Sequence, residues 1–352
     1  MNLFSSIAVI KKEHIMRGKI IWNITMLMIL TVVFSSCKKT EESVEPQFKN
    51  MSLIAKVNTD GFASGVFVQV INNKSYAFVA DGGSGLYILD VSFPSVPSIV
   101  VKFNTSGYAH DVFVSYINNI PFAFISDGYK GLMVLNVSNP AAPVKTDSMF
   151  FPQDAVLTAF IDTVNNKAYA GTYKGFVKIL ELSNLPNQLT QIASYDAFDK
   201  IGGLYVTGGM CYIAEPDYGL EILNVTNPSN PHIVGYLPTL DDANDVTVGT
   251  NMAYVADGLA GITVIDVTYP SNPVYLGTAS AKSYVGSIFL RRNKLYITEP
   301  SYAIEEYSLN SLYWPSSAGY YVTTGTPVNV FAFGNFIYLA DGEDGLYIFT
   351  SQ

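Results

Sequence analysis

The sequence predicts an all-β fold, a seven-bladed β-propeller with four-stranded antiparallel blades, and three observations support this prediction. A turn followed by an apolar strand recurs seven times at a spacing of 42 to 46 residues, a period typical of propeller blades. Aromatic residues are abundant and charged residues make up only 14% of the chain, which favours packed strands. Because the repeats are uninterrupted, a single closed domain over residues 51–352 is expected.

The second repeat shows the four strands of one blade. HDVFVSY (110–116) and PFAFIS (121–126) alternate as strands a and b, LMVLNVS (132–138) is strand c, and VKTDSMF (144–150) is the outer strand d. A glycine closes each b–c turn, and we expect it at a positive φ that would strain other residues. These glycines are Gly85, Gly131, Gly175, Gly219, Gly261 and Gly345. The sixth repeat has Ala303 instead, which predicts a reshaped turn.

The two ends of the repeat array indicate how the ring closes. The last repeat stops after strand c, whereas MSLIAKVN (51–58) is typical of a strand d whose blade is missing. We therefore expect residues 51–58 to complete the blade built by residues 327–352. Such a closure removes the exposed strand edges that an open array would leave.

The repeats resemble a known family. Asp-Gly, Gly-Leu and Asp-Val-Ser/Thr recur in register, as in LYILDVS (86–92), LMVLNVS (132–138) and ITVIDVT (262–268), and these segments are similar to the LVIVD repeat over roughly residues 60–352. The third repeat lacks the acidic residue of the turn, and the sixth is the most diverged. The resemblance implies a β-propeller on a bacterial or archaeal surface or secreted protein, and it implies no particular reaction.

The N-terminal segment predicts export. Residues 20–34 form an apolar run that follows Arg17 and Lys19 and precedes FSSC, the pattern of a secretory signal peptide over residues 1–36. An apolar helix of this length would span about 22 Å, less than the ~30 Å hydrocarbon core, so a permanent membrane span is disfavoured. FSSC resembles a bacterial lipobox, and this resemblance implies that Cys37 is lipidated. The alternative is an ordinary signal peptide with an incidental cysteine.

The residues around the predicted cleavage site refine this interpretation. Met16 is the favoured start of the signal, with residues 1–15 as a mis-assigned extension. Residues 37–50 are polar and predict a tether. Its segment 39–42 (Lys-Thr-Glu-Glu) resembles the surface-export signals of Bacteroidetes lipoproteins, which implies attachment to the outer membrane, either on its inner or on its outer side. Cys211 is then the one remaining cysteine, so no internal disulfide is expected and a buried core position is predicted.

The charge balance excludes one class of partner. The formal net charge is −9, and residues 1–36 contain four basic residues but one acidic residue, so the remainder is more acidic still. An acidic domain repels phosphate backbones, and we therefore expect no nucleic-acid binding.

Acidic residues recur in the b–c turns, where they have two interpretations. A ring of carboxylates around the propeller mouth would offer the hard oxygen ligands that Ca²⁺ prefers. Alternatively, an aspartate before glycine caps its own turn through hydrogen bonds to the backbone. No Asp-x-Asp-x-Asp-Gly spacing is present, so the capping role is favoured and no cofactor is expected. The weak Ca²⁺ candidates are Asp81, Asp127, Asp257 and Asp341; Glu215 and Glu299 occupy the same position in two further repeats.

Three further aspartates are expected at the start of strand a, on the same face as the b–c turns. Asp111, Asp154 and Asp245 would then line the channel mouth, where a pair of carboxylates within roughly 5–10 Å could act as acid and base on a polysaccharide. The favoured interpretation, however, is that each bridges neighbouring blades through backbone amides. His110 beside Asp111 allows an acid–base pair, but a histidine next to a structural aspartate is the favoured interpretation.

The d–a loops carry aromatic residues beside Asp and Asn, a combination that suits sugar rings or extended peptides. The alternative is that each ring seals the junction between two blades. Phe150 is also expected to be exposed in one of these loops. The predicted ligand-binding residues are Phe62, Tyr108, His110, Asp111, Phe151, Asp154, Phe198, Asp245 and Tyr284.

Three functions are therefore considered. The leading hypothesis is a lipid-anchored cell-envelope module without catalysis, attached to the membrane through Cys37, that presents one propeller face to a protein or glycan ligand. The first alternative is a hydrolase or lyase that uses the channel-mouth carboxylates on polysaccharide. The second is a purely structural envelope scaffold.

Overall fold

The computed structural model describes residues 48–351, which form seven antiparallel sheets and no helix. Each innermost strand contacts the innermost strand of the next sheet, and the last sheet contacts the first, so the sheets form a closed ring. The predicted signal peptide, Cys37 and the tether up to residue 47 lie outside the described residues. Among residues 48–351, the chain forms no helix with the length and hydropathy that a bilayer crossing requires.

Two strands precede the first complete blade, and the blades then follow in chain order. The leading strands are β1 (Phe48–Lys49) and β2 (Met51–Val57). Blade 1 consists of β3 (Gly65–Ile71), β4 (Lys74–Ala80), β5 (Leu86–Asp90) and β6 (Ser98–Phe103). Blade 2 consists of β7 (Asp111–Ile117), β8 (Ile120–Ser126), β9 (Leu132–Asn136) and β10 (Val144–Met149). Blade 3 consists of β11 (Val156–Asp162), β12 (Lys167–Thr172), β13 (Phe176–Glu181) and β14 (Thr190–Asp196).

The remaining blades have the same order of strands a to d. Blade 4 consists of β15 (Gly203–Thr207), β16 (Met210–Glu215), β17 (Gly219–Asn224) and β18 (His232–Leu237). Blade 5 consists of β19 (Ala243–Gly249), β20 (Met252–Asp257), β21 (Ile262–Asp266) and β22 (Val274–Ala279). Blade 6 consists of β23 (Ser287–Arg291), β24 (Lys294–Glu299), β25 (Ala303–Leu309) and β26 (Pro315–Val322). Blade 7 consists of β27 (Asn329–Phe333), β28 (Phe336–Ala340), β29 (Leu346–Ser351) and, as its strand d, β2.

The ring closes as the sequence predicts. β2 pairs antiparallel with β29, and the register runs from Met51 opposite Ser351 to Val57 opposite Leu346. One additional pairing was not expected. β1, at the end of the predicted tether, adds a fifth strand to blade 6, where Phe48 lies opposite Tyr321. The beginning of the described chain is therefore fixed to two adjacent blades.

The turn glycines confirm the prediction of positive φ. Gly85, Gly131, Gly175, Gly219, Gly261 and Gly345 have φ values between 79° and 103°. A Cβ atom at Gly131 would lie 1.9 Å from the carbonyl oxygen of Met149, so only glycine fits the close approach of strand d. Ala303 does not share this positive φ. It begins β25 and pairs directly with Glu299, which confirms that the sixth turn is reshaped.

The hydrophobic core consists of seven clusters, one between each pair of neighbouring blades. Strands b and c supply most of it and are buried on both faces because the sheets stack face to face, whereas strand d is largely exposed at the rim. Cys211 lies in the cluster between blades 3 and 4 and is fully buried, as predicted, and burial raises the pKa of its thiol.

The closing strand provides a direct test of the core. Met51 is 1% exposed in the cluster between blades 6 and 7, whereas Leu53 on the same strand is 38% exposed. We expect Met51→Ala to lower the free energy of unfolding by about 2–4 kcal/mol because it leaves a cavity. Leu53→Ala is the matched control and should cost less than about 1 kcal/mol. Urea unfolding of both variants checks this; equal costs would contradict the packing of β2 against the ring.

Candidate functional site

The face that carries the d–a loops and the b–c turns is called the upper face here. Backbone bridges join the turn of one blade to the loop that enters the next, as between Gly82 and Ala109 and between Gly258 and Val285. Both kinds of loop therefore lie on the same face, as the sequence predicts. Because the blades hold these loops at both ends, the upper face is a rigid surface on which side chains can be presented.

Three of the predicted ligand-binding aromatics seal blade junctions instead. Phe62, Tyr108 and Tyr284 each lie against the second residue of the preceding blade's turn, which is Gly342, Gly82 and Gly258, respectively. The hydroxyl group of Tyr284 also accepts a hydrogen bond from Asn244 at 2.7 Å. The rings therefore take the role that was considered as the alternative to ligand binding.

The remaining two predicted aromatics differ in exposure. Phe151 is 5% exposed and belongs to the core between blades 2 and 3, so the expectation that it is displayed was wrong. The loop turns at this point, and the preceding Phe150 is the exposed residue of the pair. Phe198 is exposed and stacks on Tyr218 with ring centroids 5.7 Å apart.

The turn acids are fully buried inside their own blades and do not line the mouth. Asp81 accepts hydrogen bonds from the hydroxyl group of Thr59 (2.5 Å) and the amide of Gly61 (2.8 Å), both in the loop that enters blade 1. Asp257 accepts from the amides of Leu240 and Asp241 in the loop that enters blade 5. The acids are thus structural, but they hold the incoming d–a loop, whereas the favoured interpretation was that each caps its own turn.

The other turn acids follow this arrangement with different partners. Asp341 accepts from the hydroxyl group of Thr323, and Glu299 accepts from the amide of Ser283. Burial raises the pKa of Asp127 to about 6, against the opposing effects of Thr105 and nearby lysines. Among residues 48–351, no three His, Cys, Asp or Glu side chains lie close enough to share a metal ion.

Blade 4 contains a buried pair of carboxyl groups. Glu215, the turn acid, and Glu221 on β17 are both 0% exposed. Burial raises the pKa of Glu215, and its hydrogen bond to Glu221 raises it further. Burial also raises the pKa of Glu221, although Tyr195 opposes this by donating a hydrogen bond of 2.5 Å to Glu221. Because two adjacent charges cannot be buried together at low cost, the pair retains a proton above the pH at which exposed glutamates lose theirs.

The channel along the ring axis is lined by the seven a strands, and its upper end is a ring of small and polar residues. Their registers place these residues at equivalent positions, each opposite the residue that precedes a b–c turn. Members of this polar ring are Gly65, Asp111, Thr158, Gly203, Asp245, Ser287 and Asn329.

Two of the predicted aspartates bridge neighbouring blades within this ring. Asp111 accepts hydrogen bonds from its neighbour's amide at Val112 (2.8 Å) and from the hydroxyl group of Thr158 in blade 3 (3.0 Å). Asp245 accepts from the hydroxyl group of Ser287 (2.8 Å) and the amide of Ile288 (3.0 Å), both in blade 6. Burial raises the pKa of both carboxyl groups, that of Asp245 to about 6. Bridging is the role that the sequence favoured for these residues.

Asp154 does not join them. It lies two residues before β11, and the position equivalent to Asp111 is occupied by Thr158, so the expectation that Asp154 begins a strand a was wrong. The loop entering blade 3 shifts the register by a bulge after Val156. Asp154 is buried and accepts a hydrogen bond from the amide of Lys174. The structure therefore does not bring the three predicted catalytic carboxylates together.

His110 borders the channel beside Asp111. Its ring lies 4.7 Å from that of Tyr108, and burial lowers the pKa of the imidazole, which is therefore neutral at pH 7. A neutral histidine against an aromatic ring fits a packing role at the mouth.

Two residues below the polar ring, the same strands form an aromatic collar, defined as Phe67, Phe113, Phe160, Tyr205, Phe289 and Phe331. Neighbouring rings follow one another with centroids 4.4 to 5.6 Å apart from Tyr205 through to Phe289. The seventh equivalent position, in blade 5, is Thr247, so the collar is open there. Polar ring and collar together enclose a cavity of about 480 Å³.

The collar was not predicted from the sequence, although the repeats contain a signal for it. An aromatic residue recurs at the third position of the a strands, as in GVFV (65–68), DVFV (111–114) and NVFA (329–332). Alternation shows that these residues share a side with the polar ring. It does not show whether that side faces a neighbouring blade or the channel.

A second group of exposed residues lies at the tips of the upper face, and of these Phe150 was predicted from the sequence. Tyr129, Tyr173 and Leu259 project from b–c turns, and Phe150 and Leu240 project from d–a loops. All five are more than half exposed. They belong to blades 2, 3 and 5, each d–a loop being counted with the blade that it enters, and are called the apolar arc here.

Comparisons with known proteins identify the repeats. The LVIVD repeat profile matches residues 68–105, 106–149, 201–239, 241–280 and 324–349. The matches fall on blades 1, 2, 4, 5 and 7, and they leave out the third and sixth repeats, which the sequence analysis singled out as divergent. No curated protein matches the chain.

Solved structures confirm the ring architecture. A crystal structure of the computationally designed protein Ika8 has a TM-score of 0.58 at 9% identity and covers 85% of this chain and 99% of its own. A chain in the crystal structure of the mitotic checkpoint complex has a TM-score of 0.67 at 13% identity, with 92% of this chain and 99% of that chain covered. At such low identity the likeness shows the fold alone.

The carboxyl pair of blade 4 predicts a pH dependence of stability. The folded state holds the proton of Glu215 at pH values where the unfolded chain, with a pKa of 4.5, has lost it, so stability falls as the pH rises above this value. Glu215→Gln mimics the protonated group. Between about pH 5 and about pH 8, we expect the variant to lose stability less steeply than the natural chain, by about 1 kcal/mol per pH unit.

Urea unfolding at several pH values measures this difference in slope. Asp217→Asn in the same turn is the matched control, because Asp217 is exposed, and it should leave the slope unchanged. Equal slopes for the natural chain and Glu215→Gln would contradict proton retention by the pair.

Proposed function

The chain belongs to the LVIVD repeat family of β-propellers, and we propose that it is a binding module of the cell envelope whose upper face takes a protein partner. The apolar arc carries this proposal. Five large apolar side chains stand on one face, in blades 2, 3 and 5, with Leu259 77% exposed and Tyr129 65% exposed. Groups of exposed apolar side chains on one face mark interaction sites, because solvent exposure of such a surface is unfavourable.

The composition of the arc favours a protein over a glycan. Leu240 and Leu259 are aliphatic and present no flat ring on which a sugar could stack. Exposed lysines accompany the aromatics, since Lys130 follows Tyr129 and Lys174 follows Tyr173. A protein surface that combines apolar and acidic side chains complements this face.

No observation favours the hydrolase alternative. Asp111 and Asp245 already accept hydrogen bonds from the backbone and from neighbouring blades, and Asp154 lies apart from them. A pair of carboxyl groups that acts on a glycosidic bond must instead be free to reach the substrate. The binding function therefore needs no reaction at the channel mouth.

The proposed location rests on the N-terminal sequence. We propose that Cys37 is lipidated after removal of residues 1–36 and that the propeller is attached to the outer membrane. The lipobox-like FSSC, the apolar run before it and the polar residues after it support this location. Two or three acyl chains give firm attachment, because each buried CH₂ contributes about 0.8 kcal/mol.

A charged substitution in the apolar arc tests whether the upper face binds the partner. The chain is screened against arrays of envelope proteins and of glycans, and the affinity of each hit is measured by calorimetry. We expect Leu259→Asp to weaken a protein hit at least about tenfold, because it buries an unpaired charge in the interface. Leu312→Asp is the matched control: Leu312 is 78% exposed in a c–d loop on the opposite face.

Three outcomes would contradict the proposal. A hit weakened by Leu312→Asp and not by Leu259→Asp would place binding on the lower face. Binding of glycans alone would replace the protein partner with a sugar, whereas an absence of all hits would favour the structural scaffold.

Removal of the lipidation site tests the location. We expect Cys37→Ser to move most of the protein from the membrane fraction to the soluble fraction, since no acyl chain can then be attached. Immunoblots of fractionated cells measure this, and Ser36→Ala serves as a control that keeps the cysteine. Retention of Cys37→Ser in the membrane fraction, together with a lack of acyl label on the natural chain, would exclude the lipid anchor.

A further inference from the structure

The central cavity is a second candidate site, separate from the apolar arc. Its volume of about 480 Å³ falls in the range of small-molecule sites, and its wall combines an aromatic collar with a polar ring above it. The arc lies at the tips of the loops, whereas the cavity lies on the ring axis between the a strands. A ligand of the cavity is therefore a small molecule or a single side chain, not a surface.

The charge of the cavity wall determines which sign of charge a ligand should carry. Asp111 and Asp245 line the cavity, and none of the described residues that line it is lysine or arginine. The two aspartates belong to blades 2 and 5, which lie on opposite sides of a ring of seven. His110 at the mouth is neutral at pH 7 because burial lowers its pKa. The cavity is therefore surrounded by negative charge alone, which favours a cation.

The hydrogen bonds that the two aspartates already accept indicate which kind of cation fits the cavity. Asp245 accepts three bonds, from Val246, Ser287 and Ile288, and Asp111 accepts from Val112 and Thr158. A carboxylate has about four lone-pair positions, so little acceptor capacity remains, while the negative charge persists. A cation without N–H groups needs no hydrogen-bond acceptor at such a site. An ammonium or guanidinium group would instead leave some of its N–H donors without acceptors.

The collar supplies the complementary contact. Its six rings are half-buried and border the cavity, with neighbouring centroids such as those of Phe67 and Phe331 only 4.4 Å apart. A methylated cation within about 6 Å of several ring centroids is stabilised by cation–π interactions and by burial of its methyl groups. The collar has no ring in blade 5, where Thr247 takes the equivalent position.

We propose that the cavity binds a quaternary ammonium group, with the aromatic collar around its methyl groups and with Asp111 and Asp245 compensating its charge. The group has two sources: a free small molecule of the choline type, or a trimethylated lysine side chain of a partner. The chemistry of recognition is the same for both, and the experiment below separates them.

Calorimetric titration of the natural chain tests the proposal without any mutation. Choline is compared with 3,3-dimethylbutan-1-ol, which has the same shape without the charge. We expect choline to bind at millimolar or lower concentration and at least about tenfold more tightly than the alcohol. A peptide with trimethyllysine and its unmethylated form are titrated in parallel. Binding of the methylated peptide but not of choline would assign the cation to a partner's side chain.

Variants place the ligand in the collar. Phe331→Leu keeps an apolar side chain but removes one ring, and we expect it to weaken choline binding about fivefold to tenfold. Phe333→Leu makes the same change two residues further along β27, outside the collar, and should leave the affinity unchanged. Asp245→Asn should weaken binding by a similar factor, since it removes one of the two charges. Melting temperatures confirm that each variant is folded.

Several results would contradict the binding of a quaternary ammonium group in the cavity. Equal affinities for choline and the neutral alcohol would show an apolar cavity without selection for charge. An absence of binding by choline and by the methylated peptide would exclude the site, and so would equal effects of Phe331→Leu and Phe333→Leu. Leu259→Asp should leave choline binding intact, so a failure of the upper-face proposal is distinguishable from a failure here.

Discussion

The packing of each blade between its two neighbours is the interaction on which the rest of the structure depends. A single four-stranded sheet has two faces, and in this protein both are apolar over strands b and c. The seven clusters that cover these faces involve every blade twice. No blade can therefore be left at an end, because an end blade would expose one apolar face. The pairing of β2 with β29 completes the last blade through backbone hydrogen bonds, and this pairing meets the requirement.

The layered channel follows from this packing. Once b and c strands fill the space between blades, the a strands converge on the axis, and their alternate residues point into it. Small residues permit the convergence: a Cβ at Gly65 would lie 2.9 Å from the Cα of Asp111, and one at Gly203 would lie 2.2 Å from a carboxylate oxygen of Asp245. Glycine in one blade thus makes room for the aspartate of the next. Asp111 and Asp245 are the charged residues among the described residues that line the cavity, which makes this part of the channel wall negative.

The fold was predictable to a large extent, and the site was predictable in part. The period, the turn glycines and the unpaired segment 51–58 are local features, and they predicted the blade number and the closure correctly. The partners of the turn acids were not predictable, because Asp81 binds a loop that lies about twenty residues earlier in the chain. The choice between Phe150 and Phe151 depends on the direction of one loop, and alternation alone cannot distinguish a channel-facing residue from one that faces the next blade. Residues whose roles depend on the neighbouring blade were therefore the ones that sequence reasoning misplaced.

The closure also has a kinetic consequence. Within blades 1 to 6, each sheet pairs strands that are close in the chain, so these sheets can form one after another as the chain is made. Blade 7 is different, since Met51 must wait for Ser351 before its strand has a partner. During this interval β2 carries an unpaired edge and an uncovered apolar side chain, the condition under which chains associate wrongly with one another. The addition of β1 to blade 6, the sheet next to blade 7, holds the start of the chain beside the place where its partner strand arrives. A two-residue strand that contributes little to the final stability therefore shortens the search that completes the ring.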